Sequence, residues 1–509
     1  MEHMGLISLI PPLVAVVLAI VSKNVIIALF SGVFAGVLLL VGGNPLAATT
    51  GVIGDYLFPQ LTDSYNAAVL ILLFFIGGFV ALMEKSGGGA ALAAASVKYI
   101  KTRAQAQVSA WLGGILIFFS DLGTPLIVGP VFEKIFDKLK ISREKLAWII
   151  DSTASPVAVL IPFIGWGVYI MGLIRAEFDK IGISDSEYST LVHVIPFQFY
   201  ALLTVILVPL IAFSKLDFGP MANAENRVRQ TGKLYWPESK PLRKAEELKD
   251  YTTGSKTILI WLPLTVLFIT LFGLLISKGF PMKPVPGGDF RVALSTAYLF
   301  AAVTIIILML IYKVKKFNEI FDIYTTGMQK MVYVAATLIL AWSLGKVIEE
   351  MGTAAFIVEI MQGNVPAFII PAILFVVGAV MALASGTSWG TFAIMLPIAI
   401  PMAVALDAHM LVCIGAVLSG GIFGDHCSPI SDTTILSSTG AGADHIDHVK
   451  TQIPYAMLNA TIALISFIIA GITGSAWTLI FTGGVLVVAV WILSKRNKIK
   501  EVRAQTQIS

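Results

Sequence analysis

Polar, helix-breaking segments interrupt long apolar stretches at two distant places in this chain, and the two places resemble each other. The first has polar residues at 120–125 and again at 151–156, and the second has them at 385–391 and at 425–429. A lipid bilayer tolerates such segments only where they face protein or a water-filled cavity. Their positions therefore constrain the fold more than any other feature of the sequence.

Composition indicates a membrane protein. Of the 509 residues, 57% are hydrophobic and 13% are charged, against roughly a quarter charged in soluble domains. No basic patch suggests a nucleic acid partner, and lipid is the expected surrounding. Apolar runs long enough to cross a bilayer predict an all-α polytopic protein with eleven full spans, near residues 5–22, 24–43, 66–84, 143–172, 189–213, 257–278, 291–312, 328–347, 409–436, 452–473 and 476–494.

The placement of Lys and Arg predicts the orientation of these spans. Basic segments at 85–103 and 134–145 flank the apolar stretch 106–133. We therefore expect this stretch to be a re-entrant hairpin that enters from the cytoplasm and has its tip at 120–125. The interrupted stretch 366–406 is flanked by acids and is predicted to be a hairpin entered from outside. In this topology the N-terminus lies outside a cell (inner) membrane and the basic C-terminus lies in the cytoplasm.

One loop disagrees with this topology, because Lys278, Lys283 and Arg291 would lie outside. The spans that fall outside the repeat described next have no assigned role. They could form a scaffold or the contact surface of a homodimer.

An internal repeat relates the two interrupted regions. Residues 66–125 align with residues 331–390, and the two copies would enter the membrane from opposite sides, so an inverted-topology repeat with two re-entrant hairpins and two broken helices is expected. Short interfacial helices are predicted near 87–102 and 352–364. The predicted units are N-terminal scaffold spans (1–65), a first repeat (66–213), an exposed cytoplasmic loop (214–256), linking spans (257–327), a second repeat (328–473), and a final span with a basic tail (474–509).

Four acids in the interrupted segments are candidates for coupling. Asp151 and Asp425 precede Ser-Pro breaks, Asp432 follows the second break, and Asp121 lies in the first hairpin tip. A desolvated carboxylate for which a proton and sodium compete is a sufficient basis for antiport. The alternative is that an Asp only caps a broken helix, or, for Asp121, that it faces water at a hairpin tip. His426 could relay protons or could be a hydrogen-bonded core residue.

Hydroxyl groups at the breaks and tips are candidate ligands. Sodium prefers oxygen ligands, and prolines in the breaks free backbone carbonyls, although helix N-termini there could instead hold a carboxylate. The candidate ligand residues are Ser120, Thr124, Ser152, Thr153, Ser155, Ser385, Thr387, Ser388, Ser428, Thr433 and Thr434. The predicted sodium site consists of Asp151, Ser155, Thr387, Ser388, Asp425 and Ser428.

Two histidines outside these segments are predicted to lie in a loop rather than to bind a metal ion. His445 and His448 resemble a metal cluster in composition, but the topology places them in a solvated cytoplasmic loop. Trp166 and Trp389 could line a cavity, although aromatic packing is the default interpretation.

The motif at 421–438, which includes Gly-Asp-His-Cys-Ser-Pro-Ile-Ser-Asp-Thr-Thr, resembles the NhaC family of sodium/proton antiporters, and residues 141–157 resemble the corresponding motif of the first half. The resemblance implies the inverted hairpin fold, sodium dependence and elevator-like alternating access. The first hairpin departs from the family pattern, since many relatives have a pair of acids there and this chain has Asp121 alone. Some members of the family move amino acids or small carboxylates instead.

The sequence thus predicts a sodium-coupled secondary transporter of the sodium/proton antiporter type, with no cofactor beyond the two coupling ions and no enzymatic activity. A sodium-coupled transporter of an amino acid or small carboxylate is the alternative. An intramembrane protease that uses Asp151 and Asp425 to activate water is a remote alternative, because a protease has no need of two doubled hairpins. A passive channel would instead conduct without coupling.

Overall fold

A computed structural model of the protein describes residues 3–97, 100–241, 256–280, 285–361 and 365–506. Within these ranges the regular structure is helical, and an isolated β-bridge joins Pro241 to Asp444. Ten of the described helices are long and apolar enough to cross a membrane, or eleven when one bent pair is taken as a span. The predicted all-α polytopic class is therefore confirmed.

The first hairpin lies in the N-terminal part of the chain, which forms eight α-helices. A 3₁₀ helix, Gly5–Leu9, extends the first span, and a π-helix, Val52–Leu57, precedes the fourth α-helix. The hairpin limbs α7 and α8 contact each other on either side of an irregular tip. The helices are α1 (Ile10–Ser22), α2 (Val25–Leu40), α3 (Pro45–Gly51), α4 (Phe58–Thr62), α5 (Ser64–Lys85), α6 (Gly88–Val97), α7 (Arg103–Leu116) and α8 (Gly123–Lys138).

The first predicted broken span is interrupted twice, between Asp151 and Ser155 and again before Gly165. The next predicted span is a pair of helices, α12 and α13, that bend by 51°. The helices of this region are α9 (Arg143–Asp151), α10 (Ser155–Ala158), α11 (Gly165–Ile181), α12 (Glu187–Val194), α13 (Phe199–Ser214), α14 (Gly219–Thr231), α15 (Ile258–Ser277) and α16 (Gly287–Ile311).

The second half contains the other predicted break. The chain leaves helical geometry between Cys427 and Asp432, where Pro429 lacks the amide hydrogen that a continuous helix needs. Two helices, α17 and α23, begin earlier than the predicted spans at 328 and 452. The helices are α17 (Phe317–Glu350), α18 (Thr353–Met361), α19 (Ile370–Ser385), α20 (Ser388–Ala405), α21 (Met410–Cys427), α22 (Asp432–Ala441), α23 (His445–Thr473) and α24 (Thr478–Thr506).

Helix positions agree with the predicted repeat. Gly88, the first residue of α6, aligns with Thr353, the first residue of α18. The same difference in residue number aligns Gly123, where α8 begins, with Ser388, where α20 begins. These four residues begin the interfacial helix and the second hairpin limb in each half. The boundaries of the predicted units stay predictions.

The predicted linker 214–256 is partly a packed helix, and the prediction that it is exposed was wrong for that part. Helix α14 contacts α9 and α23 and buries Met221, Ala224 and Val228. Its apolar residues recur at helical spacing, which the polar composition of the loop concealed. Residues 242–255 of the loop, like Lys98 and Lys283 of the topology argument, lie outside the described residues.

Charged residues at the start of α9 attach this helix to α14 and to the segment before it. Arg143, Glu144 and Lys145 are all buried. The Nη2 atom of Arg227 on α14 donates to both carboxylate oxygens of Glu144, at 2.9 and 3.0 Å. Lys145 forms an ion pair with Asp217. Because a buried charge is tolerated only with a partner, these pairs hold the first half of the broken span in place.

We expect Arg227→Met to lower the free energy of unfolding by about 3–5 kcal/mol, because it leaves the buried Glu144 carboxylate without its partner. Equilibrium unfolding in mixed detergent micelles measures the change. Arg175→Met is the control, since it removes a more exposed ion pair with Asp179 whose loss should cost less than about 1 kcal/mol. Equal effects of the two substitutions would contradict the importance of the buried pair.

Candidate functional site

Asp151 lies at the centre of a buried polar cluster where α9 ends. Its Oδ2 accepts a hydrogen bond from Gln452 Nε2 at 2.7 Å, and its Oδ1 accepts one from Ser437 Oγ at 3.3 Å. The Nε2 atoms of His448 and His426 lie 3.4 and 3.9 Å from Oδ2. All five side chains are at most 3% exposed. One carboxylate and two imidazoles thus share a space that solvent does not reach.

His426 connects this cluster to α13. Its Nδ1 lies 2.8 Å from the hydroxyl of Tyr200, and its backbone carbonyl accepts a hydrogen bond from Gln452 Nε2 at 2.5 Å. Gln452 therefore joins the end of α21 to Asp151 at the end of α9. Because the hydrogen bond at one ring nitrogen determines the tautomer of a histidine, the Tyr200 contact at Nδ1 influences whether Nε2, which faces Asp151, carries a hydrogen.

Asp425 is the second buried carboxylate, in the last turn of α21. Its Oδ2 accepts a hydrogen bond from Thr433 Oγ1 at 3.4 Å. Thr433 and Ser437 are four residues apart on α22 and share one face, roughly 6 Å apart. The same face of α22 therefore contacts Asp425 through Thr433 and Asp151 through Ser437, which places the two acids side by side. Electrostatic interactions connect Asp425 to Asp151.

No Lys or Arg side chain balances the charges of this pair in the part of the chain that the structure describes. Within the described ranges no Lys or Arg forms an ion pair or hydrogen bond with Asp151 or Asp425. Two neighbouring buried carboxylates cannot both stay ionised without compensation. The arrangement therefore favours the uptake of a proton or a cation.

A family model described as the Na+/H+ antiporter family matches residues 157–472, more than half of the chain. The chain belongs to the Na+/H+ antiporter family. The predicted resemblance is thereby confirmed, and the family indicates a secondary transporter in a membrane rather than an enzyme.

Two relatives and one solved structure extend this result. An uncharacterized protein of Haemophilus influenzae is 33% identical over 508 residues, covering 96% of this chain and 95% of the relative. A malate-2H+/Na+-lactate antiporter of Bacillus subtilis is 33% identical over 96 residues, which are 19% of this chain and 20% of the relative. The crystal structure of the Alcanivorax borkumensis YdaH transporter superposes with a TM-score of 0.57 at 14% identity, and the match covers 86% of this chain and 90% of the other. It has the same fold.

Two other predicted acids of this family member lie within electrostatic range of Asp425 but are less buried. Asp432, the first residue of α22, is exposed, and Asp121 in the first hairpin tip is partly exposed. Asp121 lies within electrostatic range of Glu84. The ring of Trp166 lies 4.7 Å from that of Trp389. The structure thus gathers the four predicted acids in one region, and two of them are fully enclosed.

Many of the predicted hydroxyl ligands make local hydrogen bonds instead of pointing to an open site. Three of these hydroxyls donate to a nearby backbone carbonyl at 2.8 to 3.0 Å. Thr124 donates to the carbonyl of Ser120, Thr153 to that of Ile149, and Ser385 to that of Met381. Such local bonds compete with any ligand for the hydroxyl.

Other predicted hydroxyls join separate segments. The Ser120 hydroxyl donates to Glu84, and Ser428 Oγ donates to the carbonyl of Leu383 at 2.8 Å, which ties the second break to the second hairpin. Thr387 caps α20 by accepting from the amide of Gly390. Ser388 is buried in the first turn of α20.

Three predicted hydroxyls remain for a ligand. The Oγ atoms of Ser152 and Ser155 and Oγ1 of Thr434 are buried, and each lacks a hydrogen-bond partner among the described residues. Buried hydroxyls are normally hydrogen-bonded, so these three atoms are the best placed of the predicted set to contact an ion or water.

The sequence interpretation missed Tyr200, Ser437, His448 and Gln452. The prediction that His448 lies in a solvated loop was wrong, because α23 begins at His445 and places His448 and Gln452 four residues apart on one buried face. Asp444, which caps this helix by accepting from the amide of Asp447 at 2.9 Å, is the start signal that could have revealed the longer helix.

His445 supports the break in α21–α22 and does not belong to a metal cluster. Its Nε2 lies 2.7 Å from the carbonyl oxygen of Pro429, and its Nδ1 lies 3.0 Å from Ser438 Oγ. Among the residues that the structure describes, no group of three or more His, Cys, Asp and Glu side chains is arranged for a metal ion.

Close backbone packing brings the first hairpin against α22. A methyl group at Gly440 would collide with the carbonyl oxygen of Pro125, and one at Gly129 would collide with the backbone of Gly440. Glycine at these positions therefore sets the distance between α8 and the helix that contacts both buried acids.

We expect Gly440→Ala to lower the free energy of unfolding by about 1–3 kcal/mol, the usual cost of overpacking a close contact. Gly273→Ala is the matched control, because a methyl group at that helical position meets open space and should stabilise the helix by up to about 1 kcal/mol. Unfolding in mixed micelles measures both. Stabilisation by Gly440→Ala would show that α8 and α22 are not in contact.

Proposed function

We propose that this protein is a sodium/proton antiporter of the cell (inner) membrane, in which the cluster of Asp151, His426 and His448 holds the proton and Asp425 holds sodium. The observation that carries the proposal is the enclosed Asp151 carboxylate with two imidazoles within 3.9 Å. A carboxylate and two imidazoles in contact can take up a proton and pass it among themselves.

The coupling follows from the proximity of the two acids. A proton on the Asp151 cluster reduces the negative charge near Asp425 and weakens its attraction for sodium. Loss of that proton restores the charge and favours sodium binding. Occupancy by one ion therefore opposes occupancy by the other, which is the requirement for exchange of the two across the membrane.

Oxygen atoms near Asp425 would complete the sodium site. Thr433 contacts the carboxylate, and the hydroxyls of Ser155 and Thr434 are buried without a described hydrogen-bond partner. Hard cations take oxygen ligands of this kind. We retain Thr387, Ser388 and Ser428 in the proposed sodium site. Sodium and protons are the coupling ions of this proposal, which includes no further cofactor.

A second candidate function is sodium-coupled transport of a small organic solute. The name of the Bacillus subtilis relative, which includes malate and lactate beside protons and sodium, favours this candidate. The unbalanced acids of the site argue against a carboxylate in the same place, because like charges repel. The predicted orientation, with the N-terminus outside, and the predicted homodimer belong to the proposal in either case.

We expect Asp151→Asn to reduce sodium-driven proton flux to below about one hundredth of the wild-type rate, because Asn cannot carry the proton. Proteoliposomes with an internal pH-sensitive dye and an imposed sodium gradient, with no organic solute present, measure this flux. Asp322→Asn is the control, since Asp322 is an exposed acid on α17 and its replacement should leave the flux unchanged.

Asp425→Asn should remove the stabilisation by sodium. Bound sodium at a hundred times its dissociation constant raises the unfolding free energy by about 2.7 kcal/mol, and thermal unfolding with and without sodium measures this gain. Asp151→Asn should retain it. Sodium-driven proton flux that persists in Asp151→Asn, or sodium stabilisation that persists in Asp425→Asn, would refute the assigned roles, and flux that requires malate, lactate or an amino acid would favour the second candidate.

A further inference from the structure

Helix α23 has a line of buried polar side chains that the exchange site uses only at one end. His448, Gln452, Tyr455 and Asn459 are separated by four, three and four residues, so they share one face of the helix. Each is at most 1% exposed. We refer to these four residues as the polar face of α23.

Each member of the polar face has one polar atom without a hydrogen-bond partner among the described residues. These atoms are His448 Nδ1, Gln452 Oε1, the Tyr455 hydroxyl and Asn459 Oδ1. Buried polar atoms are nearly always hydrogen-bonded, and a row of such atoms provides the two to four partners that a buried water molecule needs. A buried tyrosine elsewhere differs, since the hydroxyl of Tyr298 donates to the carbonyl of Phe163 at 2.9 Å.

The polar face leads from the exchange site towards ionisable groups at the protein surface. At Tyr455, the ammonium nitrogen of Lys145 lies 5.5 Å from the ring centre. Lys145 is paired with Asp217, and the other carboxylate oxygen of Asp217 accepts from Arg229 Nη2 at 3.1 Å. The side chain of Arg229 is 44% exposed. Buried and exposed charges therefore form a continuous series beyond Tyr455.

The distance to be bridged is short. Seven residues separate His448 from Tyr455, which is about 10 Å along a helix. Helix α9 follows the same path, because the ring of Trp148 lies 4.7 Å from that of Tyr455 while Asp151 contacts His448. A few water molecules would cover this distance.

We propose that water held by the polar face of α23 conducts protons between Asp217 at the surface that bears α14 and Asp151 in the exchange site, with Tyr455 as a positioning residue. A proton that joins the first water displaces one from the last water onto Asp151, and release runs in reverse, so no other reactant is needed. The inference rests on the proposed antiport and adds its route of proton entry.

The titratable groups on this route are few among the described residues. His426 and His448 face Asp151, while Lys145, Asp217 and Glu225 are the charged groups that interact with Tyr455. If Tyr455 positions water, its hydroxyl affects the rate of proton delivery and leaves the affinity for sodium unchanged.

Tyr455→Phe tests the route in the proteoliposome assay, because it removes only the hydroxyl. We expect the maximal sodium-driven proton flux to fall about tenfold, the effect of one lost hydrogen bond on a barrier, with an unchanged half-saturating sodium concentration. The decrease should be largest at high pH on the side bearing α14, where protons are scarce. Tyr298→Phe, the matched loss of a buried hydroxyl, should leave the flux unchanged.

The outcomes separate the route from the antiport itself. Flux abolished by Asp151→Asn but unaffected by Tyr455→Phe overturns the route and leaves the antiport standing. Flux that persists in Asp151→Asn overturns the antiport mechanism, whatever Tyr455→Phe does. A Tyr455→Phe variant that loses sodium affinity and flux together, with an unchanged pH profile, would show a structural role and also overturn the route.

Hydroxyl-radical footprinting of the wild-type protein tests the water directly, since radicals generated from bound water modify side chains that bulk solvent does not reach. We expect Tyr455 to be modified at least several times faster than Tyr298, although both rings are buried. Equal, low modification of the two tyrosines would mean that no water contacts Tyr455, which would overturn the inference.

Discussion

Two carboxylates, Asp151 and Asp425, are buried against one face of α22. Within the described residues no Lys or Arg pairs with either of them, and Asp151 has only the imidazoles of His426 and His448 beside it. Burial of this kind is costly unless a proton or cation is taken up. The interruptions in the spans serve this arrangement, because each acid lies where a helix ends and the chain can turn aside.

The rest of the fold holds the C-terminal ends of α9 and α21 next to each other. The broken span that ends at Asp151 is only nine residues long at α9, too short to be held by its own hydrogen bonds. Its buried charges pair with α8, α14 and the segment before α14, while Gln452 joins its end to α21. Because a buried ion pair tolerates little displacement, the ion pairs at the start of α9 fix the position of the carboxylate at its end.

The sequence predicted site residues best where a polar residue lies in an otherwise apolar segment. Asp151, Asp425 and His426 were predicted for that reason, as were both breaks, since proline and glycine act locally. His448 was missed because charge placement assigns loops but does not show where a long helix starts. The roles of the hydroxyls were also beyond prediction. Thr153 and Ser385 donate to backbone carbonyls of α9 and α19, while the hydroxyls of Ser152 and Ser155 have no hydrogen-bond partner among the described residues. That difference depends on side-chain rotamers and neighbours distant in sequence.

In the proposed antiport, protons and sodium bind to different acids, and this has a physical consequence. If one carboxylate bound both ions, exchange would rest on direct competition at a single group. Thr433 and Ser437, which contact the two acids, lie one helical turn apart on α22. In the proposed exchange each ion would therefore act on the other through an electrostatic field in a site of low dielectric, where such fields are strong. Any displacement of α22 changes both contacts together. In the proposed exchange this helix would therefore link occupancy of the acids to the positions of the hairpin and the broken spans packed around it.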